Sequence, residues 1–112
     1  MTEKSLKYLS DILLAIELIE EFTSSINDFT IYFSDRKTQS AVERQLAIIG
    51  EALNKFYQNE SSIKIENDKQ IIAFRNRLVH AYDSIDNSIV WAILKKHIPQ
   101  LKEEVKKIIQ EG

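Results

Sequence analysis

The stretch Val42–Phe56, "VERQLAIIGEALNKF", places apolar side chains at steps of three and four residues. This spacing predicts an amphipathic helix that begins after Ser34 or Asp35, either of which can cap it, and runs to about Gln58. Its apolar stripe is Val42, Leu46, Ile49, Leu53 and Phe56, widened by Ala41, Ile48 and Ala52. Gly50, in the middle, costs about 1 kcal/mol against alanine, so we expect a neighbouring helix to approach closely there.

The segments on either side of this helix show the same helical spacing. A first amphipathic helix is predicted from Leu6 to Ile26. Between this first helix and the helix that contains Val42–Phe56, the segment "SSINDFTIYFSD" is predicted to be a connection. We expect its Phe29, Tyr32 and Phe33 to pack under the bundle.

The C-terminal half predicts further helices. A third helix is expected to start near Asn67 or Asp68, with core positions at Ile71, Phe74, Leu78 and Ala81. A fourth helix is predicted from Ser88 to about His97, and Pro99 suits the first turn of a further segment. The pattern predicts an all-α protein, a single domain over residues 1–112 built as an antiparallel bundle of four to five helices.

The composition agrees with this fold and limits the function. Two glycines and one proline in 112 residues leave few tight turns, and the absence of cysteine excludes disulfides and thiolate chemistry. We find no signal peptide, because Glu3, Asp11 and Glu17 interrupt the early apolar positions, and no apolar run is long enough to span a bilayer. The expected location is the cytoplasm, without a membrane partner.

The net charge of −2 bears on nucleic-acid binding. Proteins that hold nucleic acids mainly through phosphate contacts are usually basic. Any activity on RNA would therefore depend on a local positive site. The C-terminal lysines are expected to form a solvated helix face.

The stretch "FRNRLVHAYD", residues 74 to 83, gathers polar and titratable groups that a structural helix does not need. On a helical wheel, Arg75 and Tyr82 share one flank of the core face. Asn76 and His80, four residues apart, lie almost opposite the core.

Two apolar residues, Ile72 and Val79, form a second strip between Arg75 and Asn76. A helix that is apolar on one side only would show polar residues there. The strip is therefore covered either by a second copy of the chain or by another helix of the same chain. The first alternative would bring together two copies of Arg75 and His80.

The motif "RNRLVHAY", with its arginine, four residues, histidine, one residue and tyrosine, resembles that of the HEPN superfamily in its HepT-type ribonuclease toxin branch. Two further blocks, "ERQLAIIGEALNKF" and "SIVWAILKKHIPQLKEEV", resemble the second helix and the C-terminal portion of that branch. The likeness covers most of the chain from Ala41 onward, in the family's order.

The resemblance implies a HEPN-like helical bundle that dimerises through the motif helices. It implies a toxin that is a metal-independent endoribonuclease without a cofactor, acting on RNA and encoded beside a minimal nucleotidyltransferase antitoxin. On the matching positions, Arg75 and His80 would be catalytic and Asn76 a supporting polar residue. Tyr82 would be the residue that the nucleotidyltransferase modifies with AMP, which silences the nuclease.

The residue types suit this chemistry. Histidine titrates near neutral pH and can serve as base or acid, and arginine offers a planar fork of donors for phosphate. Each residue alone is more often structural, an arginine as a surface ion-pair partner and a histidine at a helix end, which is how we interpret His97. Glu51 either pairs with Arg75 and orients it or remains an exposed helical glutamate. No metal site is predicted, since two distant histidines and no cysteine do not match zinc-ligand spacing.

Two other functions fit the same sequence. The chain could be a non-catalytic helical subunit that presents a substrate or nucleotide to a minimal nucleotidyltransferase, which its acidic pI favours. It could also be a plain dimeric scaffold. The sequence names neither the RNA nor the bond that is cleaved.

Overall fold

The computed structural model describes residues 1–81, 83 and 85–111 of the chain. Within these residues six α-helices form, and no strand occurs: α1 (Glu3–Phe22), α2 (Phe29–Ser34), α3 (Arg36–Asn59), α4 (Lys69–His80), α5 (Asn87–Ala92) and α6 (Ile98–Glu111). A 3₁₀ turn, Glu66–Asp68, leads into α4, and a π-helical turn, Ile93–His97, joins α5 to α6. The predicted all-α bundle is confirmed.

Aspartate side chains cap the starts of α3 and α5. The Asp35 carboxylate accepts a hydrogen bond from the backbone N–H of Thr38 at 3.0 Å, which confirms it as the cap of α3. The Asp86 carboxylate accepts one from the N–H of Ser88 at 2.8 Å at the start of α5. Hydrogen bonds from the serine or threonine hydroxyl and backbone N–H lower the pKa of both carboxyls, because they favour the ionised form.

The core is centred on α3. All five residues of its apolar stripe are buried, as predicted. Helix α1 packs against α3, and the Ser5 hydroxyl donates to the Glu60 carboxylate at 2.8 Å. This bond joins the start of α1 to the residue after α3, so the two helices run antiparallel.

The segment between α1 and α3 differs from the prediction. It contains the short helix α2, which begins after Asp28 caps the N–H of Ile31. Tyr32 is fully buried, as expected, whereas the Phe33 side chain is 60% exposed. The reason is the helical period: adjacent residues of α2 point about 100° apart, so both rings cannot face the core.

The boundaries of α1 and of the C-terminal helices also differ from the prediction. Helix α1 ends at Phe22, not at Ile26, and the Thr23 hydroxyl bonds to the Ile19 carbonyl at 2.8 Å. The fourth helix does not stop at His97 but continues through the π-helical turn into α6. A proline ring clashes with the carbonyl four residues earlier in a regular helix. For Pro99 that residue is Lys95, which lies in the wider π turn that ends two residues before the proline.

Candidate active site

The Arg75 side chain is held between α3 and α4. Its Nη2 atom lies 2.6 Å from Oε2 of Glu51, and its Nη1 atom donates to Oδ1 of Asn76 at 3.2 Å. The second oxygen of Glu51 lies 3.8 Å from Nζ of Lys55. Of the two alternatives for Glu51, the structure shows the pair with Arg75. The sequence leaves both alternatives open, because only the packing of α3 on α4 brings the two side chains together.

Gly50 makes this packing possible. A Cβ atom at position 50 would lie 2.6 Å from Cβ and 3.1 Å from Cγ of Arg75, and 3.4 Å from the Ile71 carbonyl oxygen. Two carbon atoms in non-bonded contact do not approach to 2.6 Å. The predicted close approach of a neighbouring helix at Gly50 is therefore confirmed, and that helix is the motif helix itself.

A carboxylate from α6 fixes the segment that enters α4. Oε2 of Glu104 accepts from the backbone N–H of Glu66 at 2.7 Å, and Oε1 accepts from the backbone and side-chain N–H groups of Asn67 at 3.0 and 2.7 Å. The ring of His97 lies 3.1 Å from Oδ1 of Asn67. His97 thus contacts a structural turn. Glu104 was missed in the sequence, since no local pattern distinguishes it from its neighbour Glu103.

A second anchor joins the end of α3 to the start of α4. The Tyr57 hydroxyl donates to Oδ2 of Asp68 at 2.6 Å, and Asp68 is 9% exposed. Burial and the hydrogen bond to Asp68 raise the pKa of the Tyr57 hydroxyl, so the tyrosine stays protonated and donating. Together the two anchors fix the start of α4 and, through this helix, the position of Arg75.

His80 is the last residue of α4 and is exposed. It follows Arg75 by five residues, which on a helix means about 140° of rotation and about 7.5 Å of rise. Among the described residues no hydrogen bond or ion pair includes the His80 side chain. The structure therefore brings Arg75, Asn76 and Glu51 together and leaves His80 pointing away from them in the same chain. Tyr82, the predicted modification site, lies outside the described residues.

The two residues of the second apolar strip differ in burial. Ile72 is partly buried against the core of its own chain. Val79 is 57% exposed, so the chain itself does not cover it. Leu78, predicted at the centre of the core face, is only partly buried, because it borders an open groove.

This groove, which we call the α3 groove, has a volume of about 560 Å³. Helix α3 forms its floor, and α1 and α4 form its walls. Its lining includes Tyr8, Ile48, Glu51, Arg75, Leu78 and Val79. The ion-paired Arg75 thus stands in the wall of an open groove.

Residues 1–81, 83 and 85–111 hold no cluster of three or more His, Cys, Asp or Glu side chains arranged to bind a metal ion. No helix within them combines the length and the apolar character that crossing a membrane requires.

An all-helical bundle with an arginine-to-histidine motif on one helix is the architecture of the HEPN class of proteins. Residues 12–108 match the family described as ribonuclease HepT-like, and the chain belongs to that family. A probable ribonuclease HepT from Thermococcus cleftensis is 41% identical over 90% of this chain and 92% of its own length.

Two relatives from Methanocaldococcus jannaschii extend the comparison. A putative RNase is 35% identical over 94% of this chain and 97% of its own length. A protein described as a gamma-glutamylcyclotransferase and putative RNase is 37% identical over 93% of this chain, which spans 47% of that longer protein. No solved structure matches the chain.

Proposed function

We propose that residues 1–112 form one HEPN-type domain and that the chain is a metal-independent endoribonuclease. Its catalytic residues would be Arg75 and His80, with Asn76 in support. The observation that carries the proposal is the Arg75 guanidinium, fixed by Glu51 and Asn76 in the wall of a groove, on the helix that ends in the exposed His80. Membership of the ribonuclease HepT-like family supports it.

The reaction is a transesterification within RNA. A base takes the proton of the ribose 2′-hydroxyl, whose oxygen attacks phosphorus and breaks the bond to the 5′-oxygen. An acid protonates that departing oxygen, leaving a 2′,3′-cyclic phosphate and a 5′-hydroxyl. Arg75 stabilises the negative charge that develops on the phosphate oxygens. His80 acts as base or acid.

One chain supplies one motif histidine, whereas the reaction uses both a base and an acid. We propose a homodimer through the motif helices, in which the two His80 side chains face one cleft. The 57% exposure of Val79 on this helix supports such a contact, because a large exposed apolar side chain beside a site favours a partner. The rotation of about 140° between Arg75 and His80 around the axis of α4 also supports the dimer. It keeps the His80 of the same chain away from Arg75, whereas the partner's His80 can approach Arg75 from the solvent-facing side.

Glu51 acts as the positioning residue of Arg75. The ion pair at 2.6 Å holds one edge of the guanidinium and leaves other N–H donors for phosphate. A Glu51→Gln variant keeps the shape of the side chain but loses its negative charge and therefore the ion pair. We expect kcat to fall about tenfold or more, with KM nearly unchanged and circular dichroism as in the wild type. An equal fall for Glu43→Gln, eight residues earlier on α3, would contradict this role.

The test of the nuclease is cleavage of a mixed RNA by purified wild type, His80→Ala and Arg75→Ala. Arg36→Ala, at the exposed first position of α3, is the matched control. Both motif variants should lose cleavage with unchanged helix content, and Arg36→Ala should retain it. Wild-type cleavage should survive EDTA and give 2′,3′-cyclic or 3′-phosphate ends. Cleavage that depends on added Mg²⁺ would refute the mechanism.

We further propose that the chain is the toxin of a toxin–antitoxin pair, silenced when a minimal nucleotidyltransferase transfers AMP to Tyr82. The motif resemblance supports this assignment. Tyr82 follows His80 by two residues in the sequence, and a phosphate added there would compete with RNA for the Arg75 guanidinium. After co-expression with the adjacent nucleotidyltransferase, mass spectrometry should find AMP on Tyr82. Tyr82→Phe should stay toxic, and its neutralisation would disprove the role.

The alternative is a non-catalytic subunit that presents a substrate or nucleotide to such a nucleotidyltransferase. The net charge of −2 favours it, because RNA is polyanionic. The same assay decides between the two functions. A binding subunit would be inert on RNA both as wild type and as His80→Ala.

A further inference from the structure

The α3 groove carries a charge opposite to that of the whole chain. Its lining contains four cations and two carboxylates, hence a net charge of +2 against −2 for the chain. The cations are Lys7, Arg44, Lys55 and Arg75, and the carboxylates are Asp11 and Glu51. The local positive site that an acidic protein needs for RNA is therefore present, and it surrounds the guanidinium of the proposed catalytic arginine.

The four cations are not equally available. Lys7 pairs with Asp11 at 2.8 Å, while Lys55 and Arg75 share Glu51. Arg44 is exposed, and no salt bridge among the described residues includes it. It therefore offers its full charge and planar fork to an incoming anion.

Tyr8 gives the groove an aromatic surface. It lies on α1, packs partly against the core and is part of the groove wall. The apolar floor beside it comes from Ala47, Ile48 and Ala52 of α3. Proteins that bind single-stranded RNA place aromatic side chains next to cations, because the bases stack on the rings and the phosphates contact the positive charges.

We propose that the α3 groove binds a nucleotide of single-stranded RNA adjacent to the scissile phosphate, with its base stacked on Tyr8 and a phosphate contacted by Arg44. The inference rests on the proposed ribonuclease function and adds a substrate-binding site to it. The volume of about 560 Å³ suits a nucleotide, since pockets for small molecules span about 300 to 1,000 Å³.

The lining favours RNA over a second copy of the chain as the occupant. Six of the twelve residues that line the groove are charged. The buried centre of a protein–protein interface is depleted of charged residues, because their desolvation is costly. The phosphates of RNA remain hydrated while they meet the cations at the rim.

The experiment measures binding without cleavage. Fluorescein-labelled decamers of A and of U, with 2′-O-methyl groups on every ribose, cannot undergo attack by the 2′-oxygen. Fluorescence anisotropy gives their Kd for the wild type, Tyr8→Leu, Tyr8→Phe and Arg44→Gln. Leucine keeps an apolar contact without the ring face, and phenylalanine keeps the face without the hydroxyl. Phe33→Ala and Arg36→Gln are matched controls, an exposed aromatic residue of α2 and an exposed arginine at the start of α3.

Tyr8→Leu should raise Kd about tenfold, within the range for loss of one stacked base, and Tyr8→Phe should bind as the wild type does. Arg44→Gln should raise Kd and lower the log–log salt slope by about 0.7. The controls should leave Kd unchanged. The inference is overturned if the wild type does not bind the decamers, if the Tyr8 and Arg44 variants match it, or if Tyr8→Leu turns a dimer into a monomer by light scattering.

The result for the α3 groove can be distinguished from the result for the proposed nuclease function. If RNA cleavage survives His80→Ala, the catalytic assignment fails, whereas the groove is judged by decamer binding alone. Unchanged decamer binding by both groove variants, together with loss of cleavage in His80→Ala, would overturn the groove and leave the nuclease standing.

Discussion

Replacing Gly50 by alanine tests whether the contact between α3 and α4 sets the position of Arg75. The added Cβ would lie 2.6 Å from Cβ of Arg75, where carbon atoms in contact are about 3.5 to 4.0 Å apart. The motif helix must therefore move by about 1 Å. A swinging side chain cannot relieve the contact, because Cβ is fixed to the backbone.

Two effects on stability oppose each other in this variant. Alanine is better than glycine in a helix by about 1 kcal/mol, whereas overpacking a tight contact costs about 1 to 3 kcal/mol. We expect the free energy of unfolding to fall by about 0 to 2 kcal/mol, so the protein stays folded. Activity should fall much more, about a hundredfold in kcat, because a 1 Å displacement of a catalytic group has that effect.

The assay is urea unfolding together with RNA cleavage, for Gly50→Ala in the wild-type and Arg75→Ala backgrounds. Arg75→Ala removes the long side chain but keeps Cβ, so the stability loss on Gly50→Ala should persist there. If it vanishes, the distal arginine atoms make the contact, not the helix backbone. Full cleavage by Gly50→Ala would refute the link between this packing and the site.

Three further substitutions test the proposed dimer, the Tyr57–Asp68 anchor and the cap of α3. Val79→Asp should convert the proposed dimer to a monomer by light scattering and abolish cleavage, whereas Ile89→Asp, at 52% exposure, should do neither. Tyr57→Phe leaves Asp68 buried without its 2.6 Å partner and should cost about 1 to 3 kcal/mol in urea unfolding, while an unchanged midpoint would argue against that anchor. Asp35→Ala should lower Tm at pH 7. Because hydrogen bonds from Thr38 lower the pKa of Asp35 in the folded state, its contribution to stability is present above the usual aspartate pKa and is lost as the pH falls through the folded-state pKa. A Tm difference that does not shrink as the solution is acidified would contradict the cap.

The sequence alone predicts the helical class and most of the core. The stripe Val42–Phe56 is buried where its spacing predicts, and Asp35 caps α3, because both follow from local rules of period and hydrogen bonding. It also located the motif and predicted a close approach at Gly50. The sequence-based prediction was wrong for the burial of Phe33 and for the end of α1. Both depend on which side of the short segment between α1 and α3 faces the bundle.

The way in which the motif is held depends on the packing of the helices. The pair of Arg75 with Glu51 joins residues 24 positions apart, and Glu104 reaches the turn before α4 across 37 positions or more. A helical wheel places side chains around one axis but does not say which neighbour each direction meets. The α3 groove exists for the same reason: three helices that are separate in sequence form it, so its charge of +2 is a property of their packing.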